Sequence, residues 1–282
     1  MQPGEPSRTA FGAALLRALH QDLDEPRVFT DPLAWRILGD RDALLAEADE
    51  RTVGSRLRRF IAARHRFAED SLAAAVARGT RQAVVLGAGL DTLAYRNPHP
   101  GLRVFEVDFP ATGEWKRERL AEAGIEVPPD VAYVGVDFES ESFLDGLRAA
   151  GFDAGCPAFF LWLGVVPYLS RAAVVASLRA IASVPGGEVV FDYTNPVAQV
   201  PERDRADRDA LSAQVAELGE PLQTGWDTDE LHDLLREVGF TEVEDLGRPE
   251  IRSRYLGLPP GTEGGGGHVL RAKAGRVPEN AV

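Results

Sequence analysis

The spacing of apolar and polar residues divides the chain into two regimes. Residues 9–78 carry helical periodicity: Ala13, Leu16, Leu19 and Leu23 recur at three- and four-residue steps, as do Leu44, Leu45 and Ala48. A further helix runs through Leu57, Phe60, Ile61, Phe67 and Leu72 and ends near Gly79. Pro26 and Asp31-Pro32 interrupt this region, with Asp31 a candidate N-cap and Pro32 at a first helical position. From residue 83 the pattern changes to short apolar runs, at 83–86, 104–107, 131–136, 158–163 and 188–191. Helical stretches alternate with them, starting at Asp91-Thr92 and covering 111–123, 140–150 and 170–182. Strand and helix in alternation predict parallel strands joined by right-handed crossovers and covered on both faces.

After Tyr193 the rhythm breaks. Residues 196–220 read as a charged helical insertion, 229–238 as a helix closed by Gly239, and 241–246 and 268–272 as strands. With no helix foreseen between these two strands, they are expected to pair antiparallel across a long loop, 247–267. The predicted fold is α/β: a doubly wound, Rossmann-like sheet with an antiparallel last strand and an N-terminal helical cap. It forms one domain over 1–282, divided into a cap (1–80), a core (81–193), an insertion (194–225) and a C-terminal helix with a strand pair (226–275).

Composition narrows the chemistry. The 282 residues are 44% hydrophobic and 27% charged, the balance of a globular protein. Lys and Arg number 31 against 44 Asp and Glu, and the net charge of −13 argues against nucleic acid or an anionic membrane as partner. Cys156 is the single cysteine, so neither an internal disulfide nor a thiolate zinc site is expected, and no metal site is foreseen. Residues 1–10 lack the apolar core of a signal peptide, and 157–169, the longest apolar stretch, is too short to span a bilayer. A cytoplasmic protein is the expectation. His20, His99 and His232 are expected at the surface, and His65 on its helix, packed or solvated.

Ligands in such sheets bind beyond the carboxyl ends of the strands, where strand order reverses. The first strand ends in Gly87-Ala88-Gly89-Leu90-Asp91-Thr92, a turn in which backbone can touch a ligand directly. The second ends in Phe105-Glu106-Val107-Asp108, about 20 residues on, where an acid would hold a ribose hydroxyl pair. Glu106 and Asp108 share a strand face, so spacing does not choose between them. Thr92 occupies the third small position of a dinucleotide fingerprint, and Ala172, four residues after Tyr168, breaks the Tyr-x-x-x-Lys pair of many nicotinamide enzymes. S-adenosylmethionine is the better ligand.

The run Gln82 to Thr92, followed by Tyr95-Arg96, resembles the cofactor loop of the leucine carboxyl methyltransferase family. It is most similar to the bacterial branch of S-adenosylmethionine-dependent O-methyltransferases that includes polyketide-tailoring enzymes. The likeness extends through Phe105 to Pro110 with Lys116, Val136-Asp137-Phe138 and Gly164 to Leu169, and upstream through Ser7 to Ala10, Arg17-Ala18 and Asp31 to Ala34. The resemblance implies that Arg64 pairs with the cofactor's carboxylate and that Gly87, with Ala88 and Gly89, meets its methionine part. It further implies that Asp108 binds the ribose and that Asp137 and Phe138 hold the adenine. Leu163 stands where the family usually has Glu, a departure at the cofactor or substrate contact.

The expected activity is O-methyl transfer to a small, secondary-metabolite acceptor, at a carboxylate. Tyr168 and Arg254, with Arg252 nearby, are candidates to position that acceptor. The replacement at Leu163 leaves open a non-catalytic cofactor-binding or regulatory protein. The eukaryotic branch of the family leaves open methylation of a protein C-terminus. Acceptor identity and oligomeric state are not written in the sequence.

Overall fold

The computed structural model describes residues 7–47, 55–260 and 266–275. Ala48, the first six residues of the signal-peptide reading and part of the glycine run at 264–267 lie outside the described residues.

Four helices come first: α1 (Arg8–Leu23), α2 (Ala34–Leu38), α3 (Arg41–Glu47) and α4 (Ser55–Ala77). Ser7 caps α1 by accepting the Ala10 N–H. Asp31 does not start α2 as expected, because Leu33 precedes the first helical residue. The Asp31 carboxylate accepts the Leu33 N–H and turns inward to Arg17 at 2.8 Å, since a buried guanidinium binds it more strongly than backbone alone. His20 is likewise buried rather than exposed, held 3.0 Å from Asp24, which also takes Arg58 and Arg59.

The alternating core follows: β1 (Gln82–Leu86), α5 (Leu93–Arg96), β2 (Arg103–Asp108), α6 (Pro110–Glu122), β3 (Val131–Gly135), α7 (Phe143–Ala149), β4 (Phe159–Trp162), α8 (Arg171–Ala182) and β5 (Glu188–Thr194). Then come α9 (Glu202–Glu217), α10 (Thr228–Glu237), β6 (Phe240–Leu246), α11 (Arg248–Leu256) and β7 (Gly267–Ala274). Strand order is β3-β2-β1-β4-β5-β7-β6, with β1 to β5 parallel and β7 antiparallel to both neighbours. The antiparallel last strand is therefore present, but the loop expected at 247–267 contains α11. That helix stays at the edge where β6 ends, so the chain re-enters the sheet in the opposite direction.

Both faces of the central parallel strands β1, β4 and β5 are buried, which is why they read as apolar runs, while edge strand β3 is only half-buried. Leu86, Phe105, Phe160, Trp162 and Phe191 pack under α7, α8 and α10. Val85, Phe159, Leu161 and Val190 pack under α4, against Ala63, Phe67 and Leu72. A third cluster joins Ala14, Ala18, Ile37 and Leu38 to Leu90 and Leu120, so the N-terminal helices rest on the turn after β1. Among the described residues no helix is long and apolar enough to cross a membrane.

Candidate active site

The strand order reverses between β1 and β4, and the turn 87–92 lies at that point. Gly87 has φ +68°, and a Cβ there would strike the Val165 side chain. Its N–H and that of Ala88 donate to the Val107 carbonyl at 2.8 and 3.1 Å, locking the turn to β2. Below the turn Lys116 reaches the Ala88 carbonyl at 3.3 Å and pairs with Glu106 at 2.8 Å, both side chains buried. Glu106 also accepts the Tyr95 hydroxyl at 2.7 Å. These bonds separate the two acids of β2: Glu106 is consumed inside, while Asp108 stands at the strand end. Asp108 accepts the N–H groups of Gly89 at 2.5 Å and Phe109 at 2.7 Å, and burial pushes its carboxyl above the usual range.

The opposite wall comes from β4, β5 and α4. Arg64 is buried, and one guanidinium nitrogen donates to Asp192 at 2.7 Å. The other Asp192 oxygen accepts the Gly164 N–H at 2.5 Å. Gly164 has φ +75°, and a Cβ there would lie 2.8 Å from Arg64 Nη2, so glycine admits the arginine to the strand end. Arg64 Nε is buried without a partner among the described residues. Leu163 packs into the α4-side apolar layer. The acid absent at that position has a neighbour one strand over, because the Trp162–Phe191 register puts Asp192 level with Leu163. Sequence reasoning missed Asp192, which sits in an apolar strand and signals itself only as a charge among Val and Phe.

A buried ionic lattice braces the turn from beneath. Arg17 donates to the Leu90 carbonyl at 2.7 Å and to Asp31, which also accepts the Thr92 hydroxyl at 2.7 Å. Arg96 bonds Thr92 Oγ1 at 2.9 Å and pairs with Glu69. His65 donates from Nδ1 to the Ile61 carbonyl at 2.7 Å and faces Asp91 at 3.5 Å. Burial drives the His65 pKa down, so its neutral form is favoured. These contacts explain structurally why Arg17, Asp31, Thr92 and Arg96 accompany the glycine turn.

The remaining candidates fall in different places. Asp137 follows β3 beside Asp108, whose carbonyl accepts the Val136 N–H at 2.9 Å. Its carboxylate caps a turn through Glu139 N–H and Ser140 Oγ, and Phe138 packs against Phe143 at 6.2 Å between ring centres. The Tyr168 hydroxyl meets Thr9, with Arg64, Asp192 and Glu220 in electrostatic reach, and burial pushes its pKa up. Glu220, not foreseen from the sequence, accepts Ser7 Oγ, the Arg8 N–H and Thr9 Oγ1. Arg254 is not brought to this group. It lies on α11, bound to Glu244 at 2.7 Å and stacked over Phe67 and Tyr255, while Arg252 turns to the Pro259 carbonyl. Among the described residues no cluster of His, Cys, Asp or Glu is arranged to hold a metal.

Residues 10–182 match the leucine carboxyl methyltransferase family. The chain belongs to that family. A Bacillus subtilis relative named "Putative S-adenosyl-L-methionine-dependent methyltransferase YktD" is 28% identical over 91% of this chain and 93% of its own length. A Mycolicibacterium gilvum protein named as the same class is 31% identical over 95% of this chain and 92% of its own. Among solved structures, an exported-protein candidate from Bordetella parapertussis is similar with a TM-score of 0.50, at 13% identity, covering 97% of this chain and 99% of that one. The last likeness concerns the fold alone. The family match contains the glycine turn, Asp108, Asp137 and Arg64, and it stops at the end of α8, before Asp192 and Glu220.

Proposed function

We propose that this family member is an S-adenosylmethionine-dependent O-methyltransferase that esterifies a carboxylate on a small, secondary-metabolite acceptor. The residues present suit such a cofactor. Gly164 admits the buried Arg64 guanidinium to the strand ends, and its Nε, without a partner among the described residues, is a free donor for a carboxylate. The Arg64 guanidinium would bridge Asp192 and that carboxylate, Asp108 would exchange backbone donors for ribose hydroxyls, and Asp137 with Phe138 would border the adenine. When bound, the cofactor supplies an electrophilic methyl on a sulfonium. The chain's part is to align acceptor and methyl and to exclude water.

The carboxylate reading is carried by one observation: the proton acceptors around Tyr168 are already engaged. Glu220 takes three donors, Asp192 takes Arg64 and the Gly164 N–H, and burial makes Tyr168 a poorer acid still. A hydroxyl acceptor with a pKa near 10 needs a base, whereas a carboxylate with a pKa of roughly 4 is already the nucleophile. A non-catalytic protein is less well supported, since Asp192 brings a carboxylate level with Leu163.

The test is the product. Purified protein with labelled S-adenosylmethionine and a panel of acids and phenols should yield methyl esters that mild alkali cleaves. The rate should be nearly flat between about pH 6 and 8 where transfer limits it. Alkali-stable aryl ethers, formed faster as pH rises, would overturn the carboxylate assignment.

A further inference from the structure

Glu220 lies beyond the end of α9 yet bonds the other extremity of the described chain. Its carboxylate accepts Ser7 Oγ at 2.9 Å, the Arg8 N–H at 2.8 Å and Thr9 Oγ1, three consecutive residues at the start of α1. An anion on the first N–H groups of a helix is favoured by the helix dipole as well as by the hydrogen bonds. The Ser7 N–H donates to Thr112 Oγ1 on α6 at 3.1 Å. The segment so tied lies directly on the cofactor turn, for the Ala10 Cβ is 3.0 Å from where a Cβ on Gly89 would stand.

The far end of α9 is pinned elsewhere. Asp204 binds Arg56 at the start of α4 and Arg248 at the start of α11. At 1.5 Å per residue a helix of this length reaches roughly 24 Å, so α9 links the starts of α4 and α11 to the start of α1. Two residues of the candidate site feel Glu220 directly: its charge adds to the burial that raises the pKa of both Asp108 and Tyr168. The anchor of α1 is separate. Arg17, about two turns further on, is fixed to Leu90 and Asp31, so the first turn of α1 can lift while the rest stays docked.

We propose that Glu220 is a positioning residue whose carboxylate clasps residues 7–10 over the glycine turn, so that cofactor exchange requires this clasp to open. The inference rests on the cofactor placement given above. Three of the bonds that hold the segment end on one carboxylate, and losing it frees those three donors together. Opening then uncovers Gly89 and Asp108 without disturbing the sheet.

The experiment uses the full chain, with S-adenosylhomocysteine as probe. Its release is followed by stopped flow, and amide exchange is followed across residues 8–14. Glu220→Ala should release the probe about ten-fold faster or more and raise exchange in that segment, as expected when charge-assisted bonds are lost. Glu220→Gln should fall between it and the parent protein. The double variant Ser7→Ala/Thr9→Ala removes two donors and keeps the charge, and should also speed release. Release and exchange unchanged in this double variant and in Glu220→Ala would overturn the clasp. Asp108→Ala separates the two layers: if it leaves probe affinity intact, the cofactor placement itself is wrong. If it weakens the probe while the clasp variants change nothing, only the clasp is wrong.

Discussion

Adding one methyl group at Gly164 tests the Arg64 assignment without removing the arginine. The residue sits at φ +75°, where an L side chain costs roughly 1–2 kcal/mol, and the new Cβ would press on Arg64 Nη2. Gly164→Ala should lower stability by about that amount in denaturant titration. It should also weaken S-adenosylhomocysteine by calorimetry, while a nucleoside thioether lacking the amino-acid part loses much less. Equal losses for the two ligands would show that Arg64 does not meet the carboxylate. At this scale the glycine turn and the pair of acids at the end of β2 were legible in the linear pattern, whereas Arg64 and the choice of Asp108 over Glu106 came only from the family resemblance. Asp192 and Glu220 were not legible. Each acts through partners far away in sequence, Asp192 on Arg64 and Glu220 on Ser7 to Thr9.

Helix α1 depends on its anchor rather than on its own pattern. Arg17 and Asp31 are both buried and joined at 2.8 Å, and Arg17 also holds the Leu90 carbonyl. Arg17→Ala would leave buried Asp31 with Arg96 at 3.4 Å, the Thr92 hydroxyl and the Leu33 N–H, so the cost should lie near the low end, about 3 kcal/mol, of the range for breaking a buried pair from one side. A fall of that size in unfolding free energy, with faster amide exchange in 8–23 and in the glycine turn, is the expected result. Loss in α1 alone would mean that the helix does not brace the turn. Helix α11 teaches the converse lesson. Residues 248–256 have only Ile251 buried and a Pro at the start, so no periodicity announced a helix there. Docking of Ile251, the Arg248–Asp204 and Arg254–Glu244 pairs, and a left-handed Gly257 close it.

Across the whole molecule the acidic surplus meets many internal carboxylates, and these set its response to acid. Burial raises the pKa of Asp31, but Arg17, Arg96 and the Thr92 hydroxyl outweigh it and hold the group below its ordinary value. Burial is similarly outweighed at Asp245 by His268, Tyr193 and His232, and at Asp24 by Arg58 and His20. A carboxylate depressed in the folded state contributes stability that is present above its unfolded pKa of about 4 and lost as pH falls through the folded value. Glu106 and Asp108, raised by burial, act in the opposite sense. The three depressed groups bridge separate elements, so the thermal midpoint should drop steeply below about pH 4, and Asp31→Asn should flatten part of that fall. A midpoint constant down to about pH 3 would contradict the ionic bracing.

The sequence alone determined the alternation of strand and helix, the glycine turn with its acid one strand on, and the antiparallel final strand. Local propensity and burial on two sheet faces write those features into successive residues. Tertiary structure decided which acid of β2 is free, since only packing brings Lys116 and Tyr95 onto Glu106. It also gave Arg254 to Glu244 instead of an acceptor, turned the expected loop into α11, and brought Asp192 and Glu220 to the site. Electrostatic partners are chosen by distance in space, and distance in space between residues 7 and 220 is not a property that any local stretch of sequence encodes.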